Sequence, residues 1–530
     1  MIKSFDGLHL GAYAGTAAAL YGDRELISDG EHRLTYVEFD AWSRGVARWW
    51  HDLGVRRGDP VLMLTPNSIE MMVALAALWR IGAVPAPVVT GYGRHELGQI
   101  TRGVQPRAVV TSVGGFGSRD TVSELDGLMD RHLTSRPPAV LTDGTREGWQ
   151  GMPGRPGGEV EVDLTPVASP DSDTDTCLLL HTSGSTAAPK GVELTSRGIH
   201  RGLQIFEDRG ILGPEDVGMT MSPLSHVSGL VTSFLLQWCL GARTTILRRW
   251  AVDNAVDLIA RERVTYVGGP MTFLTDLCNH YERVGPGGHR IVKMTSGGAA
   301  TPPALVERAE QLGIWVGRVY GMTETSGVVS APYLTSSLVE RSTLDGLLDE
   351  EAEVRVLDDD GAPLPPGTEG DIHVRGPHVV RGYTDPEATA AQFSDGWFDT
   401  GDVGVLSADG WLKITGRTKE IINRGGEKFA TRDIEDAIAS HPDVATAAVV
   451  AVSHERFGEV PCAFVQPRHG AELAPEGLAA YLLDRGLAKA KIPGEFLIVD
   501  DLPRSATGKI QRKDLLGLRE TLQREPEAGR

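Results

Sequence analysis

Basic residues are scarce in this chain of 530 residues: 52 Lys and Arg stand against 71 Asp and Glu, a formal net charge of −19. That balance argues against a nucleic-acid binder, which needs a basic face. It leaves room for a small phosphate-bearing ligand, which needs only local donors. Cysteine is scarce too. The four, Cys177, Cys239, Cys278 and Cys462, lie far apart with no CxxC pair. Neither a disulfide framework nor a zinc site is expected, and a reducing cytoplasmic setting is. No apolar run is long enough to span a bilayer; the longest, around residues 71–78, falls short. The opening residues, MIKSFDGLHLGAYAG, hold no sustained apolar stretch of the signal-peptide kind. What remains is ordinary for a globular protein: 41% hydrophobic and 23% charged residues, in a length that exceeds one domain of roughly 150 residues.

The patterning points to a layered α/β body. Residues 33–36 read as an edge strand, 39–53 as a helix in which Trp49 and Trp50 serve packing, and 59–64 as a core strand. Ser68 caps a helix reaching about Ile81, and a strand follows over 83–89. Residues 151–176, rich in Gly, Pro and Asp, read as a surface connector. Beyond it, strands over 217–221, 244–247, 264–267, 291–294 and 314–319 alternate with helices after Ser196 and over 227–240, 254–263, 271–281 and 302–312. That alternation implies a mostly parallel sheet whose ligand sites lie past the C-terminal strand ends. From residue 353 shorter strands and hairpin turns take over. Past Arg417 a separate unit begins, with helices over 433–440 and 476–486 and strands over 445–452, 461–465 and 496–499. Residues 524–530 read as a frayed tail. The fold class expected is α/β. A large N-terminal domain of layered, mostly parallel sheets with helices and a small β-rich part (1–417) precedes a small mobile α+β C-terminal domain (418–530).

Several stretches carry more chemistry than folding requires. In residues 178–195, LLLHTSGSTAAPKGVELT, an apolar strand breaks into Thr182, Ser183, Gly184, Ser185 and Thr186, followed by Pro189, Lys190 and Gly191. Backbone N–H groups, hydroxyls and one mobile cation are the makings of a polyphosphate cradle past a strand end; a surface turn is the alternative. The residue order is not that of a GxxxxGK[ST] P-loop. In PLSHVSG, His226 follows a strand and Gly229 permits close approach to the next helix, or His226 is a hydrogen-bonded loop histidine. In YGMTET, Glu324 beside Thr323 is the single carboxylate that, with nucleotide phosphates, commonly holds Mg2+, or else it starts a helix. GWFDTGD puts Asp402 after a tight glycine turn, where a carboxylate can accept both hydroxyls of a ribose, with Arg417 downstream. PRSATGKI puts Lys509 on a glycine-containing turn, as a point charge for a reacting phosphate or carboxylate or as a solvated surface lysine.

Taken in order, TSGSTAAPKG, PLSHVSG, SGGAA, YGMTET, GDIHVRGPHVVRGY, GWFDTGD, GRTKEIINRGGEKF and PRSATGKI resemble the motifs of the adenylate-forming superfamily: acyl-CoA synthetases, peptide-synthetase adenylation domains and firefly-luciferase-like enzymes. The resemblance covers nearly the whole chain. It implies ATP and an acid bound between a large domain and a small one that turns about a hinge at Lys419. Thr182, Ser183, Gly184, Ser185, Thr186 and Lys190 would hold the β- and γ-phosphates. Gly298, Ala299, Tyr320, Gly321 and Met322 would surround adenine. Thr323 would touch the α-phosphate, Glu324 would hold Mg2+, and Asp402 with Arg417 would grip the ribose. Lys509 would bridge the acid's carboxylate and the α-phosphate. A pantetheine thiol would then reach the acyl-adenylate beside Gly425 and Gly426 once the small domain has turned. Ala187 stands where the family's loop commonly has glycine and Thr431 where proline is usual; neither departure removes a charged group.

By the same resemblance, the acid lies against Val227, Gly229, Leu230, Val231 and Phe234 of one helix. Val267, Gly268, Gly269, Met294, Thr295, Gly297 and Val328 complete the wall. These residues are apolar or small and suit an aliphatic, aromatic or polycyclic acid. Residues 226–237 contain no acidic side chain, which peptide-type domains use for an α-amino group, so an acid without one is expected. The compact segment between Glu324 and Gly370 lacks the insertion of stand-alone fatty acyl-AMP ligases and favours CoA as acceptor. ATP, Mg2+ and CoA are the expected cofactors and co-substrates, and an acid–thiol ligase the expected enzyme. A separate carrier protein bearing phosphopantetheine is the alternative acceptor. A catalytically silent acyl- or nucleotide-binding relative is the non-enzymatic alternative, and self-association into a homo-oligomer stays open.

Overall fold

Two parallel sheets, each dressed with helices, make up most of the chain before Arg417. The structure is a computed structural model that describes residues 1–156, 174–182, 189–285, 291–424, 427–505 and 509–524. In the first sheet Trp315–Arg318, Lys293–Ser296, Tyr266–Gly269, Val217–Thr220, Arg243–Ile246 and Glu25–Ser28 lie parallel in that order, and Arg33–Thr35 closes the edge antiparallel. The second sheet runs Val84–Pro87, Pro60–Leu64, Ala108–Thr111, Ala139–Leu141 and Gln150–Gly151, all parallel. Its first four strands are almost wholly buried, as strands covered on both faces must be.

Local chemistry explains where the helices start. Ser68 accepts the Met71 N–H and begins Ile69–Arg80, in which every residue from 71 to 79 is buried. A helix apolar all round belongs inside the body, and its Trp79 indole donates to the Cys177 carbonyl at 2.8 Å. Thr35 and Glu38 form a capping box that starts Tyr36–Asp52 three residues ahead of the expected helix. The strands expected over 264–267 and 291–294 are displaced to Tyr266–Gly269 and Lys293–Ser296. Val264 and Ile291 are buried before their ladders begin, while Gly268, Gly269 and Ser296 pair in the ladder with little apolar signal of their own. Leu10–Tyr21, Arg94–Val104, Thr121–His132, Pro386–Gln392 and Arg512–Arg524 are helices with no counterpart in the sequence reading.

The stretch over 178–195 needs a larger correction. Thr176–Thr182 and Lys190–Thr195 form an antiparallel two-stranded hairpin, so its loop does not lie past a parallel strand. The apolar run is buried because the hairpin packs along the second sheet, with Leu179 against Val84 and Ala86. A short apolar run has the same appearance in either setting.

An antiparallel β-rich part follows: Glu353–Leu357, Glu369–Arg375 and Trp397–Leu406, with Phe393–Ser394 and Leu412–Arg417 both pairing with Trp397–Leu406. A 3-10 turn, Thr418–Glu420, leads into the smaller sheet: Glu427–Ala430, Ile421–Arg424, Gly458–Pro467 and Val444–His454, with Glu495–Ile498 parallel to Gly458–Pro467. Helices Thr431–Ala439 and Pro475–Asp484 pack on one face through Ile434, Ile438, Leu478 and Leu482. Arg512–Arg524 packs on the other through Leu515, Leu518 and Leu522. This is the mixed α/β architecture expected, a large N-terminal domain and a smaller C-terminal one of helices and strands. Among the described residues no helix is long and apolar enough to cross a membrane.

Candidate functional site

The hairpin sets Thr182 directly across from Lys190. Ser183, Gly184, Ser185, Thr186 and Ala187 lie outside the described residues, as do Gly425 and Gly426. The Lys190 ammonium donates to Gln392 Oε1 at 2.9 Å and sits 4.8 Å from the centre of the Tyr383 ring. The Tyr383 hydroxyl lies 3.0 Å from Glu324 Oε1 and 2.8 Å from Gln392 Oε1. It has one proton for two acceptors, and the carboxylate is the stronger. Burial and the Glu324 charge push the Tyr383 hydroxyl well above its ordinary pKa, so it stays a donor. Glu324 sits in the 3-10 turn Thr323–Thr325, only 9% exposed, and its main-chain carbonyl accepts the Val380 N–H at 2.9 Å. Glu324, Tyr383, Gln392 and Lys190 thus form one chain of contacts drawn from a 3-10 turn, a loop, a short helix and a hairpin.

Tyr320, Asp402 and Arg417 form a second cluster. The Tyr320 hydroxyl donates to Asp402 Oδ2 at 2.8 Å, and Arg417 Nε pairs with Oδ1 at 2.8 Å. Asp402 is buried in Trp397–Leu406, and Arg417, directly across in Leu412–Arg417, is 56% exposed. Burial raises the Asp402 pKa, and the Arg417 charge and Tyr320 hydroxyl partly offset it. Gly321 has no room for a side chain, since a Cβ there would lie 2.3 Å from the Gly327 carbonyl oxygen. Met322 follows, half-buried, its N–H donating to Thr325 Oγ1 at 3.0 Å.

Lys509 arrives from the smaller domain. Its turn is closed by the Ser505 N–H donating to the Lys509 carbonyl at 2.7 Å and by a bridge between Arg504 and Ile510. The side chain crosses Gly298, where a Cβ would stand 3.1 Å from Lys509 Cε and 3.4 Å from Nζ. Gly298 has φ +77°, which glycine adopts at no cost, and Ala299 beside it is exposed. Burial and the Arg417 charge lower the Lys509 pKa to about 8, against the opposing pull of Glu324 and Asp402. His226 caps the helix that begins at Val227, its Nδ1 accepting the Ser228 N–H at 3.3 Å. Burial and the nearby Lys509 charge hold its pKa at about 3, so it is a neutral ring here.

The wall expected for the acid is only partly assembled. Residues 227–240 are helical throughout, but Leu230–Leu235 is a π-helical stretch in which Ser233 Oγ donates to the Ser228 carbonyl at 2.9 Å. The extra residue per turn rotates Ser233 toward Gly268 and turns Phe234 away. Phe234 packs with Phe39 and Trp238 in the main core, ring centres 6.4 and 5.5 Å distant, and is not a wall residue. Leu230 is buried in that core, as is Val328. Val227 and Val231 face Gly327, while Gly229 backs onto the Pro223 carbonyl, Gly269 onto Phe273 and Gly297 onto Val319. Val267 and Met294 are buried in the neighbouring core beneath the first sheet. Thr295 lies beside Gly268 and shares a 2.6 Å hydrogen bond with the Tyr266 hydroxyl. The surface around Gly268 therefore carries more hydroxyls than the sequence suggested. Tyr383, Gln392 and Tyr266 escaped the sequence reading. Tyr383 stood within the quoted GDIHVRGPHVVRGY, but nothing local marked it or Gln392.

A buried carboxylate and a Tyr–Asp–Arg cluster thus stand near a lysine delivered by a second domain, with the hairpin lysine linked to that carboxylate through Gln392 and Tyr383. Residues 15–384 match the family described as AMP-binding enzyme, and residues 433–509 match the AMP-binding enzyme C-terminal domain. The chain belongs to the AMP-binding enzyme family. Among curated relatives of this AMP-binding enzyme is a probable CoA ligase of Humulus lupulus, 32% identical over 505 residues covering 94% of each chain. The medium-chain fatty-acid–CoA ligase of Escherichia coli is 31% identical, covering 94% of this chain and 89% of its own length. Among solved structures, ATP-bound MatB of Rhodopseudomonas palustris superposes with a TM-score of 0.82 at 27% identity, covering 96% of this chain and 98% of that one. The adenylate-forming fold and the ligase class expected from the motifs are both met.

Proposed function

We propose that this AMP-binding enzyme uses ATP to convert a carboxylic acid without an α-amino group to an acyl-adenylate. It then passes the acyl group to CoA, releasing pyrophosphate and AMP. The observation that carries the reading is Lys509, a half-buried cation from the C-terminal domain set among Gly298, His226, Glu324 and Asp402. A carboxylate attacking the α-phosphorus of ATP brings two anions together, so catalysis consists mainly of positioning and charge neutralisation. In this reading Lys509 holds the acid's carboxylate against the α-phosphate, while Thr182 and Lys190 clamp the departing pyrophosphate. Tyr320, Asp402 and Arg417 seat the nucleoside, with Asp402 accepting from the ribose. Neutral His226 orients the acid next to Lys509 without contributing charge.

Mg2+ suits the donors present. Among the described residues no group of three or more His, Cys, Asp or Glu converges, and Glu324 offers a single hard oxygen, as expected of a metal shared with phosphates. Bound there, the ion would neutralise phosphate charge. Tyr383 orients the carboxylate for it. The domain boundary in this reading falls between Arg417 and Thr418, where the 3-10 turn Thr418–Glu420 supplies the hinge at Lys419. Turning about it withdraws Lys509 and opens the adenylate to the CoA thiol.

The relatives named as CoA ligases support CoA as acceptor. Triostin synthetase I of Streptomyces triostinicus, 30% identical over 97% of this chain, supports a second reading, transfer to a carrier protein's phosphopantetheine. The test is acid-dependent exchange of labelled pyrophosphate into ATP over a panel of butyrate, octanoate, palmitate, benzoate, cinnamate and indoleacetate. CoA is then added to the adenylate formed. Exchange with at least one acid and thioester formation are expected. No acid-dependent exchange would refute adenylation of these acids, and exchange without reaction with CoA would move the acceptor to a carrier.

A further inference from the structure

Lys509 reaches the site only while the smaller domain sits against the larger one, so the contact that fixes this orientation decides how often the lysine is in place. Besides Lys509, a second charged side chain of the smaller domain, Arg432, reaches across the seam and is buried against the larger one. Arg432 lies in the first turn of Thr431–Ala439, a helix anchored to the smaller domain's core by Ile434 and Ile438. Its guanidinium points the other way. Nη1 donates to the Ile414 carbonyl, and Nη2 lies 3.6 Å from Asp345 Oδ1. Nε is 3.8 Å from Asp436 on its own helix, and the residue is 9% exposed. Among the described residues the other ion pair across the seam, Arg468 with Glu282 at 3.9 Å, is half-exposed on both sides and contributes little.

Arg432 helps hold the Asp345 carboxylate ionised, but Asp345 has hydrogen-bonded partners of its own as well. It accepts from Arg318 Nη2 at 2.5 Å and Nε at 3.0 Å, and from the Ile414 N–H at 2.8 Å. When the domains part, Asp345 keeps these partners and Arg432 passes into water. No uncompensated buried charge is left behind, which is the usual cost of breaking an internal ion pair. The contact therefore favours one orientation and still opens.

We propose that Arg432 is a positioning residue for the adenylation step: its buried pairing with Asp345 and the Ile414 carbonyl holds the smaller domain where Lys509 enters the site. The consequence for the two half-reactions rests on the function proposed above; the consequence for Lys509 placement does not. The experiment compares wild type, Arg432→Ala and Arg432→Lys. Each full-length protein is first treated with the N-hydroxysuccinimide ester of acetic acid, and modification of Lys509 and of Lys293 is followed by peptide mass spectrometry. Lys293, paired with Asp216 in the larger domain, is the internal control. Lys509 should label about tenfold faster in Arg432→Ala, the equivalent of one lost charge-assisted contact, with Arg432→Lys in between and Lys293 unchanged. Pyrophosphate exchange with the best acid of the panel should fall by about the same factor. Consumption of that acid's preformed adenylate by CoA should hold at the wild-type rate. Unchanged Lys509 labelling, equal acceleration at Lys293, or an equal loss of both half-reactions would overturn the assignment. If Lys509→Ala left exchange intact, the proposed function would fail while the labelling result still decided the role of Arg432.

Discussion

Before Arg417, the charged groups of the site are tied to neighbours: Lys190 to Gln392, Glu324 to Tyr383, and Asp402 to both Tyr320 and Arg417. After Arg417, the contribution is a single lysine whose ammonium, among the described residues, has no hydrogen-bonded acceptor and whose pKa falls to about 8 because burial and the Arg417 charge outweigh the pull of Glu324 and Asp402. The contrast separates two jobs. A binding half has to be formed before its ligand arrives, so its donors and acceptors are satisfied by one another and exchange partners on binding. A lysine that must enter for one step and leave for the next gains from having nothing to let go of. Its stability in place then comes from elsewhere on the domain, which is why Arg432 matters.

Breaking the mobile half should cost most. Lys509→Ala is expected to lower pyrophosphate exchange by about 10² to 10³-fold, the size seen when one transition-state donor is removed. The ATP-induced rise in melting temperature should persist, because the binding half is intact. The same lysine sets a pH limit. In the function proposed catalysis needs its protonated form, so with a pKa of about 8 in the free enzyme, kcat/KM for the acid should fall as pH rises through about 8. The loss is about tenfold per pH unit beyond that. An ordinary lysine would postpone the fall to about pH 10.

Loosening the fixed half should cost less and appear in binding. Tyr383→Phe removes the hydrogen bond that orients Glu324 and should raise the Mg2+ concentration for half-maximal exchange about tenfold, with the rate at saturating Mg2+ preserved. Tyr320→Phe, which takes one of two partners from Asp402, should raise the KM for ATP about fivefold or less, the worth of a single hydrogen bond. A large fall in turnover at saturating ligands in either variant would erase the distinction between the halves.

The sequence was most readable where function and local structure coincide. Apolar runs alternating with helical periods located the strands of the first sheet to within two residues, apart from Glu25–Ser28, which the sequence reading missed. The charged residues of the site were readable because the sequence around them is rich in glycine and hydroxyls beyond what folding alone requires, although Lys190, Asp402 and Arg417 themselves lie in strands. What escaped has no local signature. The run over 176–182 carries nothing to show that its partner would be the antiparallel Lys190–Thr195. Phe234 is misplaced by a π-helical turn that only the packing around Ser233 reveals. Tyr383, Gln392 and Arg432 matter through contacts with residues distant in the chain, and side chains of their kinds are common on any surface.

The division of labour is tested most directly by supplying Lys509→Ala with a preformed acyl-adenylate and CoA. The account predicts thioester at close to the wild-type rate from a variant that has lost nearly all pyrophosphate exchange. Loss of both reactions together, or exchange that survives the substitution, would contradict it.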